Sequence, residues 1–82
     1  SEKAAFFNDF ITVIKADSNA ADLEAEFKAL TVTHTLKPGE LMLPFRVMLV
    51  GGKFGPGVFD IAVQLGAEET IKRIKDALIT FN

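Results

Sequence analysis

His34 is the only imidazole in this sequence, and no cysteine accompanies it. One histidine cannot build a His-rich metal site, and clustered acids that would form a carboxylate-only site are not found. Absent thiols exclude a disulfide scaffold, a thiol nucleophile, an iron–sulfur cluster and a cysteine zinc site. Nucleophilic catalysis would have only Ser and Thr hydroxyls with His34 as base. Ser1 and Ser18 lack the Gly-x-Ser-x-Gly turn that exposes such a hydroxyl. Glu68 with Glu69, or Glu24 with Glu26, pair carboxylates that in principle act as acid and base. As surface charges on helices they already have a sufficient explanation. His34 reads as an exposed loop histidine. The residue inventory therefore predicts no catalysis, no metal and no cofactor in this chain.

Binding chemistry is better provided for. Gly51-Gly52-Lys53-Phe54-Gly55-Pro56-Gly57 is the strongest loop signal in the chain. It is not a P-loop: Phe54 follows Lys53 where a Ser or Thr would hold magnesium. The plain reading is a tight turn between helices. The functional reading is a bare backbone that lets a ligand come close. Lys53 and Phe54 would then supply a cation and a flat ring, which together hold a phosphate and stack a base. Phe54 could equally tuck into the core. Arg46 is the only charge between Glu40 and Lys53. Its long stem could simply cover core surface, or its fork could meet a base or phosphate. Residues 34–57 carry Lys37, Arg46 and Lys53 against the single acid Glu40, whereas the flanking segments are net acidic. This is the local positive spot. Three such contacts to a single strand would give a salt slope of about −2, so binding should be weak.

Five segments must position these groups. Glu2 to Ala16 carries Phe6, Phe7, Phe10, Ile11 and Ile14 at helical spacing, and Asp17-Ser18-Asn19 breaks it. A second helix is predicted from Asn19 or Ala20 to Leu30, with Leu23, Phe27 and Leu30 on one face. Thr31 to Thr35 holds four β-branched residues in five, but no partner strand exists, so it reads as a frayed end and a loop. Pro38 suits the first turn of a third helix. That helix is apolar on nearly all sides to Val50, which predicts the central, most buried element, with Pro44 kinking it or shifting its start. A short helix from Gly57 or Val58 to Leu65 follows, striped by Val58, Phe59, Ala62 and Leu65. Gly66 is a natural left-handed stop. Ile71, Ile74, Leu78 and Phe81 mark the last helix, with Glu68–Lys72 and Glu69–Arg73 as pairs one turn apart. The whole reads as one small all-α domain of about five short helices.

The 82 residues bound the rest. A chain this short buries only about 60–65% of its unfolded surface. Apolar residues make up 49%, enough to fold. All eight aromatics are Phe, and the net charge of −2 excludes a strongly basic coat. No apolar run approaches a membrane span, and no signal peptide is visible. With cysteine absent, a reducing, cytoplasmic setting is expected. The chain opens at Ser1 rather than Met, which reads as one piece of something longer.

Three stretches then resemble a known family. Leu41-Met42-Leu43-Pro44-Phe45-Arg46-Val47-Met48-Leu49-Val50-Gly51 resembles a Leu-Met-x-Pro-(Leu/Phe)-Arg-x-x-(Leu/Val)-x-Gly segment. Gly55-Pro56-Gly57-Val58-Phe59-Asp60 is similar to its (Ser/Thr)-Pro-x-(Leu/Met)-Phe-(Asp/Glu) segment. Leu65-Gly66-Ala67-Glu68-Glu69-Thr70-Ile71-Lys72-Arg73-Ile74 is similar to its Leu-Gly-(Lys/Arg)-Glu-x-x-(Ile/Leu)-x-Arg-(Ile/Leu) ending. The family is the C-terminal anticodon-binding domain of bacterial glutamyl-tRNA synthetases, class I aminoacyl-tRNA synthetases. Residues 1–36 match it only in length and helical pattern.

The resemblance implies an all-α module over residues 1–82 whose partner is the anticodon loop of glutamate tRNA. It implies a parent chain whose catalytic domain uses ATP and magnesium to ligate glutamate to tRNA. The signatures of that catalytic domain do not occur here. Arg46 occupies the place of a family arginine that lies near an anticodon base. Gly55, Pro56 and Val58 occupy loop positions that lie against anticodon nucleotides, and Lys53 and Phe54 adjoin them. Where the family commonly has Ser or Thr, Gly55 offers only backbone. The expected RNA-binding set is therefore Arg46, Lys53, Phe54, Gly55, Pro56 and Val58. A monomer docked on preceding domains of its parent, with no membrane contact, is also expected. The competing class is a helical protein-interaction module without RNA binding; it would need an exposed apolar stripe, for which the Phe6, Phe7 and Phe10 face is one candidate.

Overall fold

Helices account for all the regular structure in the computed structural model, which describes residues 2–51 and 57–81. They are α1 (Glu2–Val13), α2 (Ala20–Thr33), α3 (Pro38–Val50), α4 (Val58–Leu65) and α5 (Ala67–Phe81). The all-α expectation of five helices holds. Local chemistry explains the starts of α2 and α3. Asn19 accepts a hydrogen bond from the Asp22 N–H at 2.8 Å, and Asp22 accepts one from the Asn19 N–H at 3.2 Å. That reciprocal cap starts α2. Pro38 occupies the first turn of α3, where its missing N–H costs nothing.

The helix ends differ from expectation in instructive ways. α1 stops at Val13 rather than Ala16, because Lys15 and Ser18 close a turn on each other. The Lys15 N–H donates to Ser18 Oγ at 3.1 Å and the Ser18 N–H donates to the Lys15 carbonyl at 3.0 Å. α2 does not fray at Leu30 but continues to Thr33. The β-branched run accommodates the helix with its hydroxyls bonded back one turn: Thr31 Oγ1 donates to the Lys28 carbonyl at 2.6 Å and Thr33 Oγ1 to that of Ala29 at 3.3 Å. The helix then closes in a paired terminus. The Leu36 N–H reaches the Thr31 carbonyl at 2.9 Å, the Thr35 N–H reaches that of Val32 at 3.1 Å, and Thr35 takes φ 55°. α3 runs through Pro44 unbroken. The carbonyl that Pro44 leaves without its helical N–H belongs to exposed Glu40, one turn back, where water can serve it.

The core is a web of phenylalanine rings. Phe6, Phe7, Phe10, Phe27, Phe45 and Phe59 are all buried. Phe27 sits at its centre, with ring centroids 4.9 Å from Phe6, 5.2 Å from Phe10, 5.5 Å from Phe45 and 5.3 Å from Phe59. Four helices thus meet on one side chain. α5 closes the other side with Ile74 and Leu78 and packs on α1, α3 and α4. Ile61, outside the expected α4 stripe, is buried as well. Burial of Phe6, Phe7 and Phe10 removes the face suggested for the protein-interaction alternative. Two hydroxyls buried among the described residues are both satisfied: Thr31 as above, and Thr70, which donates to the Ala62 carbonyl at 3.0 Å.

α3 corrects a second expectation. It is not buried all round. Leu41, Phe45 and Leu49 face the core, while Leu43, Val47 and Val50 remain 48%, 38% and 48% exposed. Their spacing of four and three places them on one outer stripe.

Candidate nucleic-acid interface

Arg46 stands on α3 at the edge of that outer stripe, half-buried. One helical turn away on either side lie Met42, Leu43 and Val50. The neighbours of Arg46 on its own helix are therefore apolar. Lys37 caps the start of the same helix. Nine residues separate it from Arg46, about 14 Å of helix rise. Of the three cations of the positive segment, Lys37 and Arg46 are thus strung along α3, while Lys53 lies outside the described residues.

The end of α3 is fixed by backbone and by a neighbour. Gly51 takes φ 71°, ψ 11°, and its N–H donates to the Val47 carbonyl at 2.9 Å. No basic residue lies in the last turn of α3 itself. Arg73 of α5 supplies the missing cation: its Nη1 donates to the Leu49 carbonyl, and its Nε donates to Glu69 Oε2 at 2.7 Å. The Glu69–Arg73 pair is thus present as expected, whereas Lys72 pairs with Asp76 at 3.1 Å instead of the expected Glu68. The reach of Arg73 to α3 was invisible in the sequence. Its only signal there is that a helix ending in Val47 to Val50 has no cation of its own for its negative pole.

α4 begins on the far side of the glycine segment, with Gly57 as its cap. Val58, expected to face RNA, has its side chain in the core at 6% exposure. What Val58 can offer a ligand is its backbone. A Cβ on Gly57 would meet Asp60 Oδ2 at 3.1 Å, so that carboxylate already occupies the first turn of α4. Phe45 and Phe59, 5.9 Å apart, tie α3 to α4 beneath this end of the fold. Lys53, Phe54, Gly55 and Pro56 lie outside the described residues.

His34 is not the free loop residue expected. It caps α2, and its Nε2 lies 2.7 Å from Asp9 Oδ2 on α1. Its ring meets Phe6 edge-on at 5.9 Å. These contacts join α1 to the end of α2. Among the described residues no group of three or more His, Asp or Glu lies close enough to hold a metal ion. Among the same residues no helix is long and apolar enough to cross a membrane.

Among the described residues, five helices packed around one core define a small all-α module. A family model described as an anticodon binding domain matches residues 2–78, and the chain belongs to that family. Curated relatives agree. The chain is 35% identical over 79 residues to a glutamate–tRNA ligase of Flavobacterium johnsoniae, covering 94% of the chain and 16% of that protein. It is 40% identical over 58 residues to glutamate–tRNA ligase 1 of Bartonella henselae, covering 71% of the chain and 12% of that protein. A glutamate–tRNA ligase of Geobacter sulfurreducens is 36% identical over 63 residues, or 77% of the chain and 14% of that protein. The chain thus spans about a sixth or less of the length of these relatives. No solved structure matches.

Proposed function

We propose that this chain reads the anticodon loop of glutamate tRNA as the C-terminal domain of a glutamate–tRNA ligase. The match of residues 2–78 to the anticodon-binding family carries this reading. Ligation itself, with its ATP and magnesium, belongs to the remainder of the parent chain, and this domain needs no cofactor. The protein works as a monomer in the cytoplasm, docked on the preceding domains of its parent.

The α3 face supports the reading chemically. Proteins read RNA sequence on splayed, single-stranded bases, by packing against their faces and bonding to their edges. Leu43 and Val50 provide apolar surface, and Arg46 beside them provides planar donors. A bidentate arginine–base contact discriminates by about 1–3 kcal/mol, if RNA behaves as DNA does. In this reading Arg46 meets a base or its phosphate, Lys53 meets the backbone, and the Gly55 to Val58 turn packs with Phe54 against bases.

An NMR titration of the labelled chain with the anticodon stem-loop of glutamate tRNA at low salt tests this. Shifts centred on Arg46, Lys53 and Gly55 to Val58, weakened when the anticodon is altered or in Arg46→Ala, are the expected result. Shifts spread over all lysines and blind to the anticodon would reduce the interaction to charge attraction and overturn the reading.

A further inference from the structure

We propose that Arg73, on α5, is a positioning residue for RNA contact: its guanidinium clamps the C-terminal turn of α3 and so fixes how Arg46 is presented. The inference rests on the anticodon reading above. Three observations carry it. First, Arg73 Nη1 donates to the Leu49 carbonyl, twenty-four residues away on another helix. Second, Glu69 Oε2 accepts from Arg73 Nε at 2.7 Å, which holds the planar fork in the orientation that reaches α3. Third, the last turn of α3 contains no base of its own.

The last four carbonyls of a helix have no partner within it, and they form its negative pole. The Gly51 N–H serves the Val47 carbonyl. Arg73 serves that of Leu49 and brings a full positive charge to the same pole. Arg46 stands three residues before Leu49, on the adjoining turn. A helix end free to unwind would carry the Arg46 side of that turn with it. Lysine cannot replace arginine here, because its point charge has no rigid fork with which to bridge Glu69 and Leu49 together. Arg73 touches no RNA in this scheme. It acts through α3.

The test uses the 82-residue chain and its Arg73→Lys and Glu69→Gln variants, which keep the cation. Hydrogen exchange is read in the free protein, and binding is read with the cognate and an altered anticodon stem-loop. Loss of a hydrogen bond to a charged group should speed exchange at the Leu49, Val50 and Gly51 amides by about tenfold in Arg73→Lys. Amides of α1 and α2 should not change. The ratio of the two RNA affinities should fall by about tenfold in the same variant, with a smaller fall in Glu69→Gln. Unchanged exchange at the three amides in both variants overturns the clamp. Faster exchange with an unchanged affinity ratio overturns its role in RNA contact and leaves a purely structural cap. If the unaltered chain does not distinguish the two RNAs, the anticodon reading itself fails. The exchange rates then decide the clamp separately.

Discussion

Thr35 holds a left-handed backbone, φ 55°, at the position where helices usually end in glycine. A β-branched side chain there crowds its own carbonyl, at roughly 1–2 kcal/mol. The side chain is exposed, so little packing offsets that strain. Thr35→Gly should therefore raise stability by about 1 kcal/mol, net of the extra freedom glycine gives the unfolded chain. Urea unfolding measures this; a loss of stability would show that the terminus does not need its φ. Arg46 illustrates the opposite case, a residue whose place on an outer stripe suits a ligand. Arg46→Ala should weaken anticodon binding in the titration described above.

At the scale of elements, three glycines separate cleanly by backbone. Gly39 lies in the first turn of α3 at ordinary helical φ, with open space where a methyl group would go. Gly39→Ala should stabilise the chain by about 0.4–1 kcal/mol, mostly by restricting the unfolded state. Gly66 joins α4 to α5 at φ 87°, ψ 159°, a region open essentially to glycine alone. It is not the left-handed helical stop expected; Gly51 fills that description instead. Gly66→Ala also meets open space, yet should cost about 1–3 kcal/mol through backbone strain. Thermal melts of the two variants should move in opposite directions. Equal shifts of one sign would refute the backbone argument.

For the whole molecule, the Phe27 ring is decisive. It contacts rings from α1, α3 and α4 at once. Phe27→Ala should cost about 3–5 kcal/mol, against a total of roughly 4–12 kcal/mol for a domain of this length. All helices should melt together, because α1 to α4 meet in that ring cluster and α5 joins the same core through Ile74 and Leu78; two resolved transitions would contradict this. The Cα radius of gyration, 11.4 Å, is close to the ~12 Å expected for one packed domain of this size. Binding is a whole-molecule property too. With Lys37, Arg46 and Lys53 as the cations of the positive segment, log affinity for the stem-loop should fall against log salt with a slope near −2. A slope of about −3.5 would mean that Lys72 and Lys75 of α5 share the interface.

Helix number and order, the Phe6–Phe7–Phe10 and Ile74–Leu78 faces, the Asn19 cap and the Gly51 to Gly57 break were all legible in the sequence. Each follows from spacing of 3.6 residues or from local backbone chemistry, which act within a few residues. The family was legible too, through motifs spread over nearly half the chain. Tertiary structure alone decided the rest. Leu43, Val47 and Val50 stay outside because, among the described residues, α2, α4 and α5 pack against the other face of α3, and no periodicity reports how many neighbours a helix will have. The β-branched end of α2 stays helical because Thr31 is buried, with its hydroxyl bonded back one turn. His34 meets Asp9, and Arg73 meets Leu49, across gaps of twenty-five and twenty-four residues. Such pairings depend on how helices are stacked, and a residue's own neighbours in sequence carry no record of that.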